Sequence, residues 1–469
     1  MSDSGWRARI RWVVVRPHDP AVLLLGEPGA LALPEAELPG QVWTAEAEAT
    51  TAVLRTLVGF DAVSLRSVEE DEDQAARVQH ATLAAAPRGE AAPAPGARWV
   101  GPQELAAAAA ARVLDELAGG RPPSGRAPWA LPGWLPAAER WLRATLDALG
   151  HVVTGPTRQV RVWELSCVLR APTDRGAVYL KATVSSPLFV DEGAVTRALA
   201  ELFPGRVPAP LAVDPDRGWM LLADFGGELG WDAPAELRED VVRAFARLQI
   251  EAAAHVDRLL AAGCLDRRLA WLAAEAQAWL PAVAATGRLP GIDAATWLSA
   301  EEAAELRGAV PQLVAMCGEL ATHAVPATLV HGDLHLSNVA HANVADGPGD
   351  YLFFDWSDAC VAHPFVDLHA FLQEDEDQVE GGLRARLRDA YLSEWSSFEP
   401  AGRLLRAWRL AEPLGALHHA VSYRSIVASV APPIDRHVAQ STAYWLRKVL
   451  AGVAAARDTA PAVPAGGRP

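Results

Sequence analysis

The sequence predicts an α+β protein in which a small α/β module precedes a small antiparallel sheet and a large helical region. Three observations lead to this prediction. Strand-like and helical segments alternate early in the chain, short strand-like runs follow a stretch rich in Gly and Pro, and helical periodicity dominates from Ala233 onward. With 469 residues, 51% of them hydrophobic, the chain is long enough for two or three compact units.

We therefore divide the chain into residues 1–120, a linker at 121–136, a larger module at 137–457 and a tail at 458–469. The linker lies within GGRPPSGRAPWALPGWLP, whose Gly and Pro content predicts a semi-extended connection. The tail contains TAPAVPAGGRP, which has too little apolar surface to bury, so we expect it to be disordered.

The N-terminal module has an α/β pattern. RWVVVRP and AVLLLG predict strands, and residues 45–57 predict a helix that ends at Gly59. The acidic run at residues 69–73 is interpreted as a solvated turn.

The larger module opens with PAAERWLRATLDALG, which predicts an amphipathic helix that stops at Gly150. RQVRVWE, CVLRAPT and AVYLKAT then predict three antiparallel strands. A helix at residues 191–202 and the strand GWMLLAD complete the sheet region, and the rest is predicted to be largely helical.

Composition excludes several classes of function. The net charge of −16 disfavours nucleic acid as a partner. No apolar window approaches the length of a membrane helix, and no signal-peptide pattern is present, so we expect a cytoplasmic protein without membrane contact. The cysteines form no C-x-x-C pair and are expected to be buried thiols: Cys167, Cys264, Cys317 and Cys360.

The residues most suited to catalysis are concentrated in HGDLHLSN, residues 331–338. Asp333 and Asn338 fit the pattern H-x-D-L-x-x-x-N of kinase catalytic loops. Phosphoryl transfer from ATP needs a carboxylate that orients the attacking hydroxyl and accepts its proton, and oxygen ligands for Mg²⁺. We expect Asp333 to be that base and Asn338 to be one of the metal ligands.

A second carboxylate follows the apolar run YLFF. Asp355 is expected at the end of this strand, where it would bridge Mg²⁺ and the β/γ-phosphates of ATP. The intervening ANVADGPGDY has the character of a hairpin turn, which would bring Asn338 and Asp355 to the same end.

Lys181 lies in the middle of the predicted strand AVYLKAT, among apolar residues. An unpaired ammonium is costly there, so the phosphates of ATP and a helix glutamate are its expected partners. The alternative is a lysine that only protects a sheet edge.

These motifs together resemble the aminoglycoside phosphotransferase and choline kinase family of small-molecule kinases, over roughly residues 137–450. The resemblance implies a bilobal protein-kinase-like fold and transfer of the γ-phosphate of ATP, with Mg²⁺, to a hydroxyl of a small molecule. It implies that Asp333 is the catalytic base, that Asn338 and Asp355 are the metal ligands, and that His331 and His335 brace the catalytic loop.

Other parts of the same family pattern follow. AHPFVDL resembles G-D-P-x-x-D-L, with Asp367 as a structural carboxylate and His363 in place of the usual Asp. The resemblance also implies a nucleotide site whose members are Lys181, its partner Glu192, Ser166 in a phosphate-binding turn, and Leu222 and Ala223 as backbone partners of adenine. DFG at 224–226 precedes the catalytic loop and is therefore not the metal-binding triplet.

The N-terminal module resembles a degenerate Nudix domain. LALPEAELPG, AVLRTLVGF and ARWVGPQEL carry this resemblance, and Gly59 and Phe60 match the end of the Nudix box. The metal-binding glutamate positions are occupied by Val53, Thr56 and Leu57, so a catalytically silent domain is expected. The two glutamates that remain on this helix are interpreted as solvated charges: Glu46 and Glu48.

The acceptor is expected to be a hydroxylated small molecule such as an aminoglycoside or an amino alcohol. EDED, residues 374–377, is interpreted as a solvated charge run, with contact to a cationic substrate as the alternative. Two other functions stay open: a nucleotide-binding regulator without turnover, and a metal hydrolase that uses His331, Asp333, His335 and His341.

Overall fold

The computed structural model describes residues 5–16, 20–27, 30–89, 91–105, 107–118, 122–230, 233–283, 296–342, 351–373 and 382–458. The chain forms two compact units. Unit 1 consists of Met1–Val184, Pro210–Asp224 and Ser429–Arg436, and unit 2 of Ser185–Ala209, Phe225–Ala428 and His437–Pro469. Within the described ranges, every helix is too short or too polar to cross a bilayer.

The first part of unit 1 is built around a mixed sheet with strand order β3-β1-β5-β4, in which β1 and β5 run parallel, and a separate β2–β6 pair. The predicted α/β pattern is therefore present. Its elements are β1 (Arg7–Val14), β2 (Val22–Leu25), β3 (Glu35–Pro39), α1 (Ala47–Val58), β4 (Ala62–Asp73), β5 (Val78–Pro87), β6 (Ala97–Val100) and α2 (Ala108–Ala118).

Helix α1 confirms the predicted helix, and the acidic run corrects a prediction. Gly59 ends α1 in the left-handed conformation with φ of 82°, and its N–H donates to Arg55 O. Residues 69–73 are not a turn, because they continue β4 and pair with β5 from Glu69↔Thr82 to Asp73↔Val78. β4 is the last strand of its sheet, and charged side chains are well tolerated on an edge strand that faces water.

The rest of unit 1 is a five-stranded antiparallel sheet with strand order β10-β11-β9-β8-β7. Its elements are α3 (Trp134–Ala148), β7 (Arg158–Val162), β8 (Ser166–Thr173), β9 (Gly176–Thr183), β10 (Ala212–Asp214) and β11 (Trp219–Ala223). The three predicted antiparallel strands are confirmed, and the hydrophobic face of the sheet packs in one core with α2 and α3.

The predicted linker is more ordered than its composition suggests. Within its described part, Pro128–Ala130 forms a 3₁₀ turn and α3 already begins at Trp134. Trp129 is buried, and its Nε1 donates to Trp163 O at 2.7 Å. Large aromatic side chains, which Gly and Pro counts ignore, thus anchor this segment in the core of unit 1.

Unit 2 is mainly helical, as predicted. Its elements are α4 (Glu192–Leu202), α5 (Ala235–Ala252), α6 (Val256–Ala261), β12 (Leu265–Asp266), α7 (Leu269–Trp279), α8 (Ala300–Leu320), β13 (Thr328–Val330), β14 (Val339–His341), β15 (Tyr351–Phe353), β16 (Cys360–Ala362), α9 (His369–Gln373), α10 (Leu383–Glu394), α11 (Ala401–Ser429) and α12 (Arg436–Asp458). Two small sheets, β12-β16-β13 and β14-β15, interrupt the helices and carry the candidate site.

The α+β class is confirmed, with a small antiparallel sheet in one unit and a large helical part in the other. All four cysteines are buried free thiols, as expected. The division into domains and the Nudix-like character of the first module stay predictions. Helix α12 ends at Asp458, and the rest of the predicted tail lies outside the described residues.

Candidate active site

The catalytic-loop motif begins directly after β13, and a buried carboxylate fixes its first turn. Asp367 is 1% exposed. Its Oδ2 accepts the His331 N–H at 2.7 Å, and its Oδ1 accepts the Gly332 N–H at 2.9 Å. Burial raises the pKa of Asp367 to about 7, and the two backbone donors oppose this effect because they favour its ionised form. The two bonds hold the backbone just before Asp333 in place. Asp367 therefore has the structural role that the family pattern implied.

Gln249 on α5 supports this carboxylate, and sequence reasoning did not identify it. Its side chain is completely buried, and Nε2 donates to Asp367 Oδ2 at 3.1 Å and to Leu329 O at 3.0 Å. Tyr391 donates its hydroxyl proton to Gln249 Oε1. A signal in the sequence was that Gln249 follows Val242 by seven residues and Phe245 by four, which puts it on the apolar face of a predicted helix, where a polar side chain needs partners.

His331 connects the segment that follows β13, which contains Asp333, to the segment that follows β15, which contains Asp355. The ring is fully buried, its Nε2 donates to Phe354 O at 2.9 Å, and its Nδ1 lies 3.4 Å from the Asp333 N–H. Burial lowers the pKa of His331 to about 4, so the ring is neutral and braces the loop rather than carrying charge. Its ring packs against that of Trp356 at a tilt of 40°, with a centroid distance of 4.5 Å.

Asn338, His335 and Asp333 form a connected group. Asn338 Nδ2 donates to Asp333 O at 2.9 Å and lies 3.1 Å from His335 Nε2. His335 Nε2 is 3.7 Å from Asp333 Oδ2. Both contacts use Nδ2, so neither of them occupies the amide oxygen Oδ1, which is an atom of the kind that hard cations accept as a ligand.

The Asp333 side chain is the accessible part of this group, with 41% of it exposed. Partial desolvation of the carboxylate favours its neutral form, but the nearby His335 outweighs that effect and holds the pKa of Asp333 below its ordinary value. Asp333 is therefore ionised at neutral pH, as a proton acceptor must be.

Asp355 lies at the end of β15, as predicted. β14 and β15 pair antiparallel from Val339↔Phe353 to His341↔Tyr351, and the Phe354 N–H donates to Asn338 O at 3.1 Å. This pairing brings Asn338 and Asp355 to the same end, while the turn between the strands lies mostly outside the described residues. Asp355 has φ of 66°, which is uncommon for a residue other than Gly and marks a constrained position.

Asp358 is a further acidic residue that the sequence analysis missed. It is 8% exposed and accepts from Ser357 Oγ at 3.1 Å, and Ser357 Oγ also lies 3.4 Å from Asp355 Oδ1. Burial and the nearby Asp333 raise the pKa of Asp358 to about 8. Its backbone packs against Gly332, where a Cβ would lie only 2.6 Å from Asp358 O.

His363 caps the segment that leads to Asp367. The side chain of His363 caps the 3₁₀ turn Pro364–Val366, and its Nδ1 accepts the Phe365 N–H at 3.2 Å. Burial lowers the pKa of His363 to about 3, so its nitrogen remains available as an acceptor. An Asp at a helix N-cap accepts the same kind of bond, and the segment before Asp367 is therefore still capped.

The proposed nucleotide residues Lys181, Ser166, Leu222 and Ala223 belong to unit 1. Lys181 lies on β9, the central strand of the five-stranded sheet, where it pairs with Val168 on one side and Met220 on the other. The alternative of a lysine at a sheet edge is therefore excluded.

Leu222 and Ala223 differ in where their backbone groups point. The Asp224 N–H donates to Ala177 O at 3.0 Å. In an antiparallel ladder the backbone N–H and C=O groups of successive residues point alternately to the two neighbouring strands. The backbone groups of Leu222 therefore point to β9, as those of Asp224 do, and the backbone groups of Ala223 point away from β9. β10 pairs only with Trp219–Leu221 in the described chain, so no strand covers Ala223 there. Ala223 is thus the better placed of the two predicted adenine partners.

Ser166 is the first residue of β8 and is 7% exposed. Its Oγ accepts the indole N–H of Trp163 at 2.7 Å. Glu192 is buried at the start of α4 in unit 2, one residue after the N-cap Asp191. Its pairing with Lys181 and the phosphate contact of Ser166 stay predictions.

Two further expectations concern acidic and metal-binding groups. The acidic run at 374–377 lies outside the described residues. Across the described ranges there is no group of three or more His, Cys, Asp and Glu side chains arranged to hold a metal, which gives no support to the metal-hydrolase alternative. A Mg²⁺ site with one amide and one carboxylate ligand does not need such a group of three side chains, because Mg²⁺ keeps several water ligands.

Comparison with known proteins places these motifs in a family. Residues 168–408 match the family model described as Phosphotransferase enzyme family, APH, over more than half of the chain. No curated protein sequence gives a significant match.

Several solved structures are similar to the chain. A choline/ethanolamine kinase family protein from Mesorhizobium loti has 17% identity, covers 67% of this chain and 98% of its own, and has a TM-score of 0.45. Choline kinase from Streptococcus pneumoniae has 12% identity, covers 68% of this chain and 99% of its own, and has a TM-score of 0.46. The GDP complex of aminoglycoside 2'-phosphotransferase-IIIa has 14% identity, covers 67% of this chain and 98% of its own, and has a TM-score of 0.43. The family model, rather than these structures, carries the assignment: the chain belongs to the phosphotransferase enzyme family and is a small-molecule phosphotransferase.

Proposed function

We propose that this phosphotransferase moves the γ-phosphate of ATP to a hydroxyl of a small molecule, with Asp333 as the base and Asn338 and Asp355 as Mg²⁺ ligands. The observation that supports it most is the arrangement around His331. The neutral His331 ring lies against the backbone N–H of Asp333 and donates a hydrogen bond to the carbonyl of Phe354, the residue before Asp355. The Asn338 amide donates to the backbone carbonyl of Asp333. These contacts hold the segments of the base and the metal ligands together, and Ser357 Oγ in addition donates to Asp355 Oδ1 at 3.4 Å.

Asp333 suits a base that acts on a substrate. Its carboxylate is ionised and partly exposed, whereas its backbone is held by Asn338. As the acceptor oxygen attacks the γ-phosphorus, the hydroxyl proton passes to Asp333 and the bond to the β-phosphate oxygen breaks, which leaves ADP. Phosphoryl transfer asks mainly for positioning, which the contacts of this loop supply.

The donor set fits Mg²⁺. Asn338 offers a neutral oxygen and Asp355 a carboxylate, and hard divalent cations take such oxygen ligands. When bound, Mg²⁺ would neutralise negative charge on the phosphates of ATP. His331 and His335 act as supports in this scheme, and neither is needed as a ligand.

The nucleotide would be bound by Lys181 at its phosphates and by the backbone of Ala223 at adenine. A lysine on a central strand cannot serve as an edge charge, and a phosphate is a natural partner for it. Ser166 and the partner carboxylate Glu192 complete the proposed set.

The acceptor is proposed to be a hydroxylated small molecule, with aminoglycosides and amino alcohols as the first candidates. The net charge of −16 agrees with a cationic acceptor and does not require one.

A screen tests the proposal. Purified protein with Mg²⁺ and ATP is supplied with a panel of aminoglycosides, amino alcohols, sugars and vitamins, and release of ADP is measured. We expect at least one compound to stimulate release, and Asp333→Ala to abolish it while nucleotide binding persists. Asp389→Asn, which changes a carboxylate that is 64% exposed, is the matched control and should keep the parental rate.

Turnover also separates this proposal from a regulator that only binds nucleotide. If the protein binds ATP but none of the compounds in the panel stimulates ADP release, the regulator is favoured. Parental turnover of Asp333→Ala would refute the role of the base.

A further inference from the structure

Strand β7 is the last strand of the five-stranded sheet, yet the N-terminal segment, the described residues among 5–118, contacts it through β4 and the start of α1. The amide of Gln159 makes two buried hydrogen bonds to one residue of β4. Its Oε1 accepts the Ser64 N–H at 2.9 Å, and its Nε2 donates to Ser64 O at 3.0 Å. Backbone groups on two sheet edges need partners, and this single amide supplies them for Ser64.

The same contact continues toward the end of β7. The Val162 N–H donates to Ala45 O at 2.8 Å, and Arg161 pairs with Glu46 in an isolated antiparallel bridge. Glu48 of α1 forms an ion pair with Arg158 at 2.7 Å. Both glutamates are exposed, as predicted for solvated charges, and the structure adds that the backbone of Glu46 and the side chain of Glu48 contact β7.

The loop that follows, residues 163–165, is held by the same segment and by its neighbours. The ring of Trp43 contacts the ring of Trp163 edge to face with a centroid distance of 6.4 Å, and the Arg161 guanidinium lies 4.6 Å from the centre of the Trp43 ring. On the other side, Trp129 Nε1 donates to Trp163 O. Trp163 itself bonds Ser166 through its backbone N–H at 3.1 Å and through its indole N–H.

This loop has no glycine, unlike the mobile phosphate loops of protein kinases. Its conformation is instead fixed by contacts, and a loop that is ordered in advance loses less entropy when it binds a ligand. Under the proposed function, on which this step rests, residues 163–166 lie at the nucleotide phosphates.

We propose that the N-terminal segment is a built-in support for the loop at residues 163–165, and that Gln159 and Trp43 are positioning residues that set the affinity for nucleotide. The helix that would carry a metal site in a Nudix enzyme here serves as a docking helix, with Glu48 paired to β7. The segment thus tunes the phosphotransferase.

The test uses Gln159→Leu and Trp43→Ala in the full chain. Binding of a nonhydrolysable ATP analogue with Mg²⁺ is measured by calorimetry, and hydrogen exchange reports the amides of residues 163–165. We expect exchange to accelerate in both variants and the dissociation constant to rise roughly two- to tenfold in Trp43→Ala, the range expected for loss of one aromatic contact.

The controls separate support from general damage. Trp43→Phe keeps an aromatic ring and should restore the affinity. Arg98→Ala removes an ion pair with Glu104 that is exposed on both sides and does not involve β7, so it should leave affinity and loop exchange unchanged. Trp43 is 42% exposed, so its replacement keeps the inference testable even if Gln159→Leu fails to fold.

Loop exchange that stays unchanged in both variants overturns the inference, as does an unchanged dissociation constant in a variant with a loosened loop. Failure of the wild-type protein to bind the analogue overturns the proposed function, which is a different result from a wild type that binds and variants that bind equally well.

Discussion

Gly332 offers a sharp test of how tightly the catalytic loop is built. Its φ is +84°, and a Cβ at this position would lie 2.6 Å from Asp358 O and 2.8 Å from Asp358 Cβ. In Gly332→Ala these atoms must separate by roughly 1 Å to reach ordinary van der Waals contact. The left-handed backbone adds about 1–2 kcal/mol of strain for an L-residue.

The displaced residue is next to the base. Asp333 follows Gly332 directly, and a misplacement of about 1 Å at a reacting group can cost roughly 100-fold in rate. We therefore expect Gly332→Ala to lose roughly 100-fold in kcat, measured by ADP release with an acceptor from the screen, and to melt at a lower temperature. Nucleotide binding should change little, because the proposed adenine and phosphate contacts lie elsewhere in the chain.

Gly318→Ala is the matched control. Gly318 lies in α8 of the same unit, and a Cβ there meets no atom within 4 Å. An alanine in a helix interior is favourable, so this variant should be as stable as the parent or slightly more so. If Gly332→Ala matched the parent in both rate and melting temperature, the account of a rigid loop packed on Asp358 would be wrong.

Three further predictions concern other parts of the site. Asp367→Ala leaves the His331 and Gly332 N–H groups without their carboxylate and should reduce the free energy of unfolding by at least about 2 kcal/mol in chemical denaturation. Lys181→Met should weaken calorimetric binding of the ATP analogue, and Lys181→Arg should restore it only in part, because guanidinium and ammonium bind phosphate with different geometry. Burial raises the pKa of Glu164 to about 7, above its ordinary value, so the folded state favours the protonated form. The free energy of unfolding of the parent, relative to that of Glu164→Gln, should therefore fall as pH rises from about 4.5 to about 7. Chemical denaturation of both proteins at about pH 5 and about pH 8 measures this difference.

Local patterns identified most of the catalytic loop. The spacing of Asp333 and Asn338, and the position of Asp355 after an apolar run, depend on residues that are close in sequence, and the structure brings these segments together. The family that these motifs resemble is confirmed by the family model. Their catalytic and metal-binding roles stay predictions that the variants above test.

The supports of the loop were harder to find because they come from distant parts of the chain. Gln249 reaches Asp367 across more than a hundred residues, and only the folded chain shows that a buried carboxylate needs this donor. Gly332 was part of the motif, but its contact with Asp358 depends on how two loops pack.

Residues 69–73 were misjudged for a similar reason. Charge alone suggested a turn, whereas pairing with β5 places these residues on an edge strand. Strand formation depends on the partner strand, which a local charge pattern does not describe.

The measurement that tests the central claim most directly is transfer of a radiolabelled γ-phosphate from ATP to an acceptor in a single turnover, compared between the parent and Asp333→Asn. The account predicts a labelled acceptor with the parent, and with Asp333→Asn bound ATP but transfer slowed by at least about 100-fold. Equal transfer by both proteins, or label released as inorganic phosphate in place of labelled acceptor, would contradict it.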